Sequence, residues 1–185
     1  MKNIFLACCL GILMATAPLL SRGADKATQA QSASPWQSIQ NRTCGYYLRY
    51  PKGSQLERLG ACILKIDLPP FKGQEWIQSV SLTLEVTAAE NGVATESPVD
   101  GGEPTGSLVA GGMKFEKTVD GSAGAGHTLI TVSYTAVGKK HQYHFVGFLS
   151  ATNPELLEGQ SVKNWDPQKS AEKIFDGMVL TFRPM

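Results

Sequence analysis

Apolar and polar side chains alternate with a period of two through much of the chain, and this pattern predicts β-strands. It is cleanest in residues 79–87, SVSLTLEVT, where every second side chain is aliphatic and the side chains between them are polar. A strand with one apolar and one polar face is typical of an antiparallel sheet. The same alternation predicts further strands at residues 43–50, 61–68, 113–119 and 127–137.

Residues 141–149, HQYHFVGFL, are apolar on both faces toward their end, so we expect a strand that is central in its sheet or covered. Gly138 and Lys139 mark a tight hairpin turn between this strand and the one before it. Residues 88–112 are rich in glycine and proline. They predict a long loop, with one short strand at residues 107–110.

The last predicted element is a helix, with Asp166 as a good N-cap and Pro167 at the first helical position. Gly177 weakens this helix, so we expect it to end early. An apolar stripe at helical spacing should pack on the sheet, and its alternative role is to bind a partner. The stripe comprises Ala171, Ile174, Phe175, Met178 and Phe182. These elements predict an α+β fold, an antiparallel β-sheet with a C-terminal helix packed on it.

The first residues have the form of a secretory signal peptide. Lys2 is followed by an almost unbroken apolar run over residues 4–20, and small residues that end at Gly23 predict cleavage before Ala24. A membrane anchor is the alternative, because the run is about as long as the shortest spanning helices. Pro18 interrupts the end of the run, which favours the signal peptide.

We therefore expect a signal peptide at residues 1–23, a flexible linker at 24–35 and one α+β domain at 36–185. Cleavage would remove two of the 17 basic side chains and none of the 16 acidic ones, so the net charge would change from +1 to −1. No basic cluster favours nucleic acid or an anionic membrane surface. No later stretch is apolar enough to insert stably into a membrane, so we expect a periplasmic or secreted protein.

The cysteines divide into two pairs. Cys8 and Cys9 lie in the predicted signal peptide, and a lipoprotein would use one of them, but both come too early in the apolar run. Cys44 and Cys62 remain as an even pair in an oxidising compartment, which predicts a disulfide. Two separate buried thiols are the alternative, and two cysteines alone do not complete a zinc site. Both lie on the apolar faces of their predicted strands, so their sulfurs can meet if those strands pair.

Residues 121–128, GSAGAGHT, come within one residue of the phosphate-binding motif G-x-x-x-x-G-K-[ST], with His127 in place of the lysine. A P-loop needs a helix after it, because the helix N-terminus and the loop amides hold the phosphates. The residues after Gly126 are β-branched and alternate with period two, so they predict a strand. We therefore interpret the glycines as a long flexible hairpin between a strand that ends near Val119 and one that begins at His127.

No catalytic, cofactor-binding or metal-binding residues are predicted. His141 and His144 are three residues apart, a separation that places them on opposite faces of a strand. No serine has the G-x-S-x-G setting of a nucleophile elbow, although a Ser/His/Asp set can still assemble in space. Tyrosines and tryptophans that prove exposed would suit recognition of a protein or a ligand.

A strand that ends in Tyr-x-x-x-Tyr-Pro, here from Tyr46 to Pro51, is followed by antiparallel strands, a late hairpin and a closing helix. In this plan, which covers about residues 43–183, the chain resembles the PsbP-like superfamily, including small bacterial envelope proteins of the DcrB type. The resemblance implies an α/β sandwich and binding or accessory roles, with no shared catalytic residues. The later part of the chain, at residues 126–128, 150–154 and 181–183, also resembles bacterial secreted domains that share this plan.

Three functional hypotheses follow from these observations. The first is a non-catalytic periplasmic or secreted protein that binds another envelope protein, and in its more specific form an inhibitor or immunity protein against a cell-wall hydrolase. The second is a small-ligand carrier with a pocket between the sheet and the helix. The third is a hydrolase whose site assembles in space.

Overall fold

A computed structural model describes residues 35–90, 93–94, 103–153, 156 and 165–185. The predicted signal peptide, the Gly23–Ala24 cleavage position and nearly all of the predicted linker lie outside these residues. So does much of the predicted loop at 88–112.

The described elements are eleven strands and one α-helix. The strands are Trp36–Asn41 (β1), Tyr46–Pro51 (β2), Gln55–Gly60 (β3), Ile63–Asp67 (β4), Ile77–Glu90 (β5), Val93–Ala94 (β6), Gly106–Ala110 (β7), Met113–Gly124 (β8), His127–Val137 (β9), His141–Thr152 (β10) and Arg183–Pro184 (β11); the helix is Pro167–Val179 (α1). No helix among these residues has the length and hydropathy to span a bilayer.

The strands form two sheets. The large sheet has eight strands in the order β3-β4-β5-β10-β9-β8-β7, with β6 paired to β5, and the small sheet has three in the order β1-β2-β11. Every described pair is antiparallel. The protein is therefore α+β, mostly antiparallel sheet with a C-terminal helix, as the alternation predicted.

One hydrophobic core joins the inner faces of both sheets to the helix. The alternate residues of β5 that the pattern placed inside, Val80, Leu82, Leu84 and Val86, are all buried. Helix α1 packs against this core and contacts β9, β10 and β2. Phe182, just after the helix, meets the rings of Phe115, Tyr143 and Phe145 edge-on with centroids 4.8–5.5 Å apart.

Several predicted elements are confirmed in detail. Strand β10 is central in its sheet, between β5 and β9, as its apolar C-terminal half predicted. The helix begins as predicted, since the side chain of Asp166 accepts a hydrogen bond from the backbone N of Lys169 at 3.0 Å and Pro167 follows it. The early end predicted from Gly177 is wrong, because the helix continues past this residue and ends at Val179. The short strand predicted at 107–110 is β7, whereas the loop before it begins later than predicted because β5 continues to Glu90.

Cys44 and Cys62 form the predicted disulfide, with Cα atoms 5.6 Å apart. The predicted route to it, pairing of the two cysteine-bearing strands, is wrong. Cys44 lies in the turn before β2 of the small sheet, and Cys62 lies in the turn between β3 and β4 of the large sheet. The bond therefore ties one sheet to the other, with Cys44 buried in the core and Cys62 partly buried against it.

The long flexible hairpin predicted for the glycine-rich stretch is also wrong. Strands β8 and β9 pair as far as Gly124 and His127, so only Ala125 and Gly126 form the turn. Both have positive φ, 48° and 81°, which is the backbone of a two-residue type I′ hairpin. The small side chains that resembled a phosphate loop therefore continue the strand and close it tightly, and a strand follows them as the alternation predicted.

Candidate functional site

A cleft of about 580 Å³ lies beside the helix. We call it the helix cleft. Its lining residues are Trp36, Pro51, residues 68–72 and Gln74 on one side, and the helix residues Ser170, Lys173, Ile174, Gly177 and Met178 on the other.

The helix contributes its flank to the cleft. Ala171, Phe175 and Met178 point to the core and are buried, which fixes the rotation of α1 on the sheet. Residues one position away from this buried stripe therefore face sideways. Ile174 and Gly177 lie on that flank and are partly exposed along the cleft.

The facing wall is the segment that follows β4. Pro69 and Pro70 have no backbone N–H, so they cannot continue the sheet ladder, and the chain leaves the sheet there. The segment is held at both ends by backbone hydrogen bonds: the N of Leu68 donates to the O of Val80 at 2.9 Å, and the N of Ile77 donates to the O of Gln74 at 2.9 Å. Its apolar side chains stay next to the helix and are only partly buried.

The charge in the cleft has one sign. Lys72 comes from the proline segment and Lys173 from the helix, so each wall contributes one exposed ammonium group, and no Asp or Glu that the structure describes lines the cleft. Neither lysine forms a salt bridge with another residue that the structure describes. An anionic group in the cleft would therefore meet two uncompensated positive charges.

Gly177 leaves open space on the helix flank. A Cβ built on this residue would have no atom within 4 Å. The glycine thus costs helix stability, as the sequence suggested, and widens the cleft at the same position.

A second group of titratable side chains lies where the helix meets β8 and β9. The Nζ of Lys117 is 2.7 Å from Glu172 and 3.4 Å from Asp176, and the hydroxyl of Tyr134 donates to Asp176 at 2.7 Å. Burial works to lower the pKa of Lys117, but the hydrogen bond and charges of the two carboxylates outweigh it and the pKa is raised. Burial, and then the hydrogen bond to Asp176, raise the pKa of Tyr134.

These shifts determine what the group can do. Lys117 and Tyr134 both hold their protons at neutral pH, so neither is available as a general base or a nucleophile. The hydrogen bond from Lys117 lowers the pKa of Glu172 and keeps that carboxyl ionised. The arrangement fastens the charged flank of α1 to the sheet, and it explains why the helix acids point away from the helix cleft.

The histidines do not converge. His127 is near the β8–β9 hairpin, with its Nδ1 3.1 Å from the amide of Gln78, and Ser150 donates to the same amide at 3.3 Å, so the glutamine separates the serine from the histidine. His141 lies beside the ring of Tyr143, with centroids 6.1 Å apart. Across the described part of the chain, no three His, Cys, Asp or Glu side chains are grouped so as to hold a metal ion.

The predicted aromatic candidates divide by burial. Tyr46 and Tyr50 are core residues, Tyr47 is partly exposed, and Trp76 meets Trp165 edge-on at 5.9 Å. Trp36 alone among these six lines the helix cleft. Sequence reasoning missed the proline segment as part of a site, because a Pro-Pro pair indicates only where a strand ends. The signal that could have found it is Phe71, an apolar residue placed in an otherwise polar break.

Comparisons with known proteins define the fold and little more. No protein-family model and no curated protein matches the chain. A crystal structure from Bacteroides thetaiotaomicron VPI-5482 matches with a TM-score of 0.53 at 6% identity, over 82% of this chain and 49% of that one. The chain thus spans about half the length of that protein, and the likeness concerns the fold alone.

The solution structure of cyanobacterial PsbP (CyanoP) from Synechocystis sp. PCC 6803 also matches, at 13% identity with a TM-score of 0.27. The match covers 88% of this chain and all of that one. At that TM-score the likeness supports no conclusion about fold or function.

Proposed function

We propose that the protein is a non-catalytic binding protein that acts outside the cytoplasm, and that the helix cleft is its binding site. The observation that carries the proposal is the cleft itself, a concave and mainly apolar surface with a few polar groups at its edge. Small-molecule sites have this composition and occupy about 300–1,000 Å³. The disulfide suits an oxidising compartment, and the predicted signal peptide would deliver the chain there.

This proposal favours the ligand-carrier hypothesis. A carrier needs a preformed cavity, and it needs no catalytic residues. The cleft walls are held by the core-packed helix on one side and by a proline segment with anchored ends on the other, so the cavity needs little reorganisation before a ligand binds.

Blocking the cleft tests the proposal. Gly177→Leu places a side chain into the open space, and Gln168→Leu, on an exposed position of the same helix, is the matched control. Each purified protein is mixed with an extract of envelope solutes and lipids and examined by native mass spectrometry. We expect a bound small molecule on the wild type and on Gln168→Leu, and none on Gly177→Leu. An adduct that Gly177→Leu retains, or no adduct on the wild type, would refute the proposal.

A protein partner is the second candidate function, and the exposed edge of the large sheet favours it. All six residues of β3 are exposed, and Leu56 and Leu59 are 40% and 54% exposed. A strand from another chain can add to such an edge. The partner we propose is another envelope protein, for example a cell-wall hydrolase that this protein inhibits.

The test is a crosslinked pull-down from native envelope extract with the wild type and with Leu59→Lys, which places a charge on the edge. One stoichiometric partner that Leu59→Lys loses supports strand addition at β3. A partner that both baits hold equally, or no partner for an abundant folded bait, argues against it. A hydrolase panel would separately test the inhibitor form, because protection of cell walls is its required effect.

We also propose that the sandwich is of the PsbP-like kind, on the strength of the Tyr46-to-Pro51 strand, the late hairpin and the closing helix. An experimental structure tests this assignment. Equivalent strand order and helix position in a superposition with PsbP-like proteins would support it, and a different strand order would exclude it.

A further inference from the structure

We propose that the ligand of the helix cleft is a free fatty acid, a single unbranched alkyl chain that ends in a carboxylate. This inference rests on the proposed function, because it names the chemical class that the same cleft would hold. Its basis is the combination of apolar walls, positive charge on both sides and open space over the helix flank.

The walls select an alkyl chain. Trp36, Leu68 and Phe71 face Ile174 and Met178, and all of them except the buried Met178 are partly exposed next to the core. Covering such surface with methylene groups is favourable in proportion to the apolar area removed from water. Met178 has a flexible, polarisable side chain that adapts to a chain of variable conformation.

The same walls disfavour a polar ligand such as a sugar. Apart from the two lysines, the only polar side chains on the cleft in the described part of the chain are those of Gln74 and Ser170. A sugar would bring many hydroxyl groups to a surface that offers them few partners, and each buried hydroxyl without a hydrogen bond costs free energy.

The charge selects an anion. Lys72 and Lys173 come from opposite walls, and none of the described carboxylates lines the cleft. The helix acids Glu172 and Asp176 are occupied by Lys117 on the other flank. Lysine ammonium groups reach the water-facing edge of an apolar surface while their stems lie along it, so they can meet the head group of an amphiphile whose chain is buried.

Binding of matched soluble probes tests the inference. Isothermal titration uses hexanoate, octanoate and decanoate as monomers, with decanol as the neutral analogue and decyltrimethylammonium as the cationic one. We expect the Kd to fall about fourfold for each added methylene until the cleft is filled. Decanol should bind at least tenfold more weakly than decanoate, and the cation should not bind detectably.

Variants assign the effect to the cleft. Lys72→Gln combined with Lys173→Gln should weaken decanoate to the level of decanol, whereas Lys114→Gln, an exposed lysine on β8 outside the cleft, should not. Gly177→Leu should abolish binding of both probes. Thermal unfolding of each variant checks that the fold is intact, so loss of binding is separable from loss of structure.

The remaining outcomes distinguish failure of the fatty-acid inference from failure of the proposed binding function. Equal affinity for decanoate and decanol overturns the carboxylate assignment. If no probe binds but the native-mass adduct sensitive to Gly177→Leu is present, the fatty-acid inference fails and the binding function stands. If both are absent, the proposed function fails as well. Binding to phosphatidylglycerol vesicles without binding to monomeric decanoate overturns the inference in favour of a membrane lipid.

Discussion

Replacement of Gly147 by alanine tests a close contact between the central strand β10 and the helix. A Cβ built on Gly147 would lie 2.5–2.7 Å from three atoms of the Phe175 ring. Phe175 is fully buried, so the close-packed core around its ring opposes any movement of the ring. The helix can lie this close to the sheet only because the strand has no side chain at this position.

The magnitude follows from the distances. Ordinary carbon contacts begin at 3.4 Å, so the ring must move by roughly 1 Å. Overpacking of this kind costs about 1–3 kcal/mol. Alanine recovers roughly 0.5–1 kcal/mol, because glycine loses more conformational freedom than alanine in a strand. Because the ring is fully buried, the overpacking cost should lie in the upper half of this range, so we expect Gly147→Ala to lower the free energy of unfolding by about 1–2.5 kcal/mol.

Urea denaturation with the disulfide intact measures this change as a shift of the midpoint at constant m-value. The matched control is Gly177→Ala on the helix, where an added Cβ meets nothing, and it should stabilise by about 1 kcal/mol. Phe175→Leu should cost less in the Gly147→Ala background than in the wild type, with a coupling of at least about 1 kcal/mol. A neutral or stabilising Gly147→Ala, or additive costs, would refute the packing described here.

Three further predictions concern the hairpin, the disulfide and the helix. Ala125→Asn should raise the free energy of unfolding, measured in urea, by about 1 kcal/mol. Alanine is strained at φ 48°, whereas asparagine before Gly126 is largely free of this strain. A less stable variant would contradict the type I′ turn. Cys44→Ala with Cys62→Ala should lose roughly 3 kcal/mol, and a non-reduced digest of the wild type should contain the linked peptide; free thiols at these positions would contradict the bond. The pKa of Glu172 is lower in the folded protein than in the unfolded chain. Its carboxylate therefore stabilises the fold fully above the unfolded-state pKa, and this stabilisation is lost as the pH falls through the folded-state pKa. The wild type should therefore lose stability as the pH falls below about 4.5, and Lys117→Met should lose less; equal losses would show that the ion pair does not contribute.

Much of the fold could be predicted from local pattern. The parity of apolar residues in β5 gave its inner face correctly, and the Asp166-Pro167 pair gave the start of the helix. Both features depend on residues a few positions apart, so neighbours along the chain are enough to determine them. The Cys44–Cys62 pairing was also predictable, but by elimination among the cysteines and not by strand geometry.

The candidate site was predictable only in outline. A pocket beside the helix was one hypothesis, yet the residues that form it, such as Trp36, Phe71 and Lys173, lie far apart in sequence. Nothing in the pattern of Pro69 and Pro70 says which element the chain will face after it leaves the sheet. The same holds for Gly147: the need for a glycine there is evident only from the position of the Phe175 ring against it.

By itself, the sequence determined which residues alternate, where the helix begins, which cysteines are available to pair and which side of each strand is apolar. Tertiary structure alone decided that the cysteine-bearing segments belong to different sheets, that Ala125 and Gly126 close a tight turn and that an apolar cleft with two lysines opens beside the helix. The physical reason is the range of the interactions. Side-chain parity and helix capping act between near neighbours, whereas sheet order and cavities depend on which distant surfaces bury each other best.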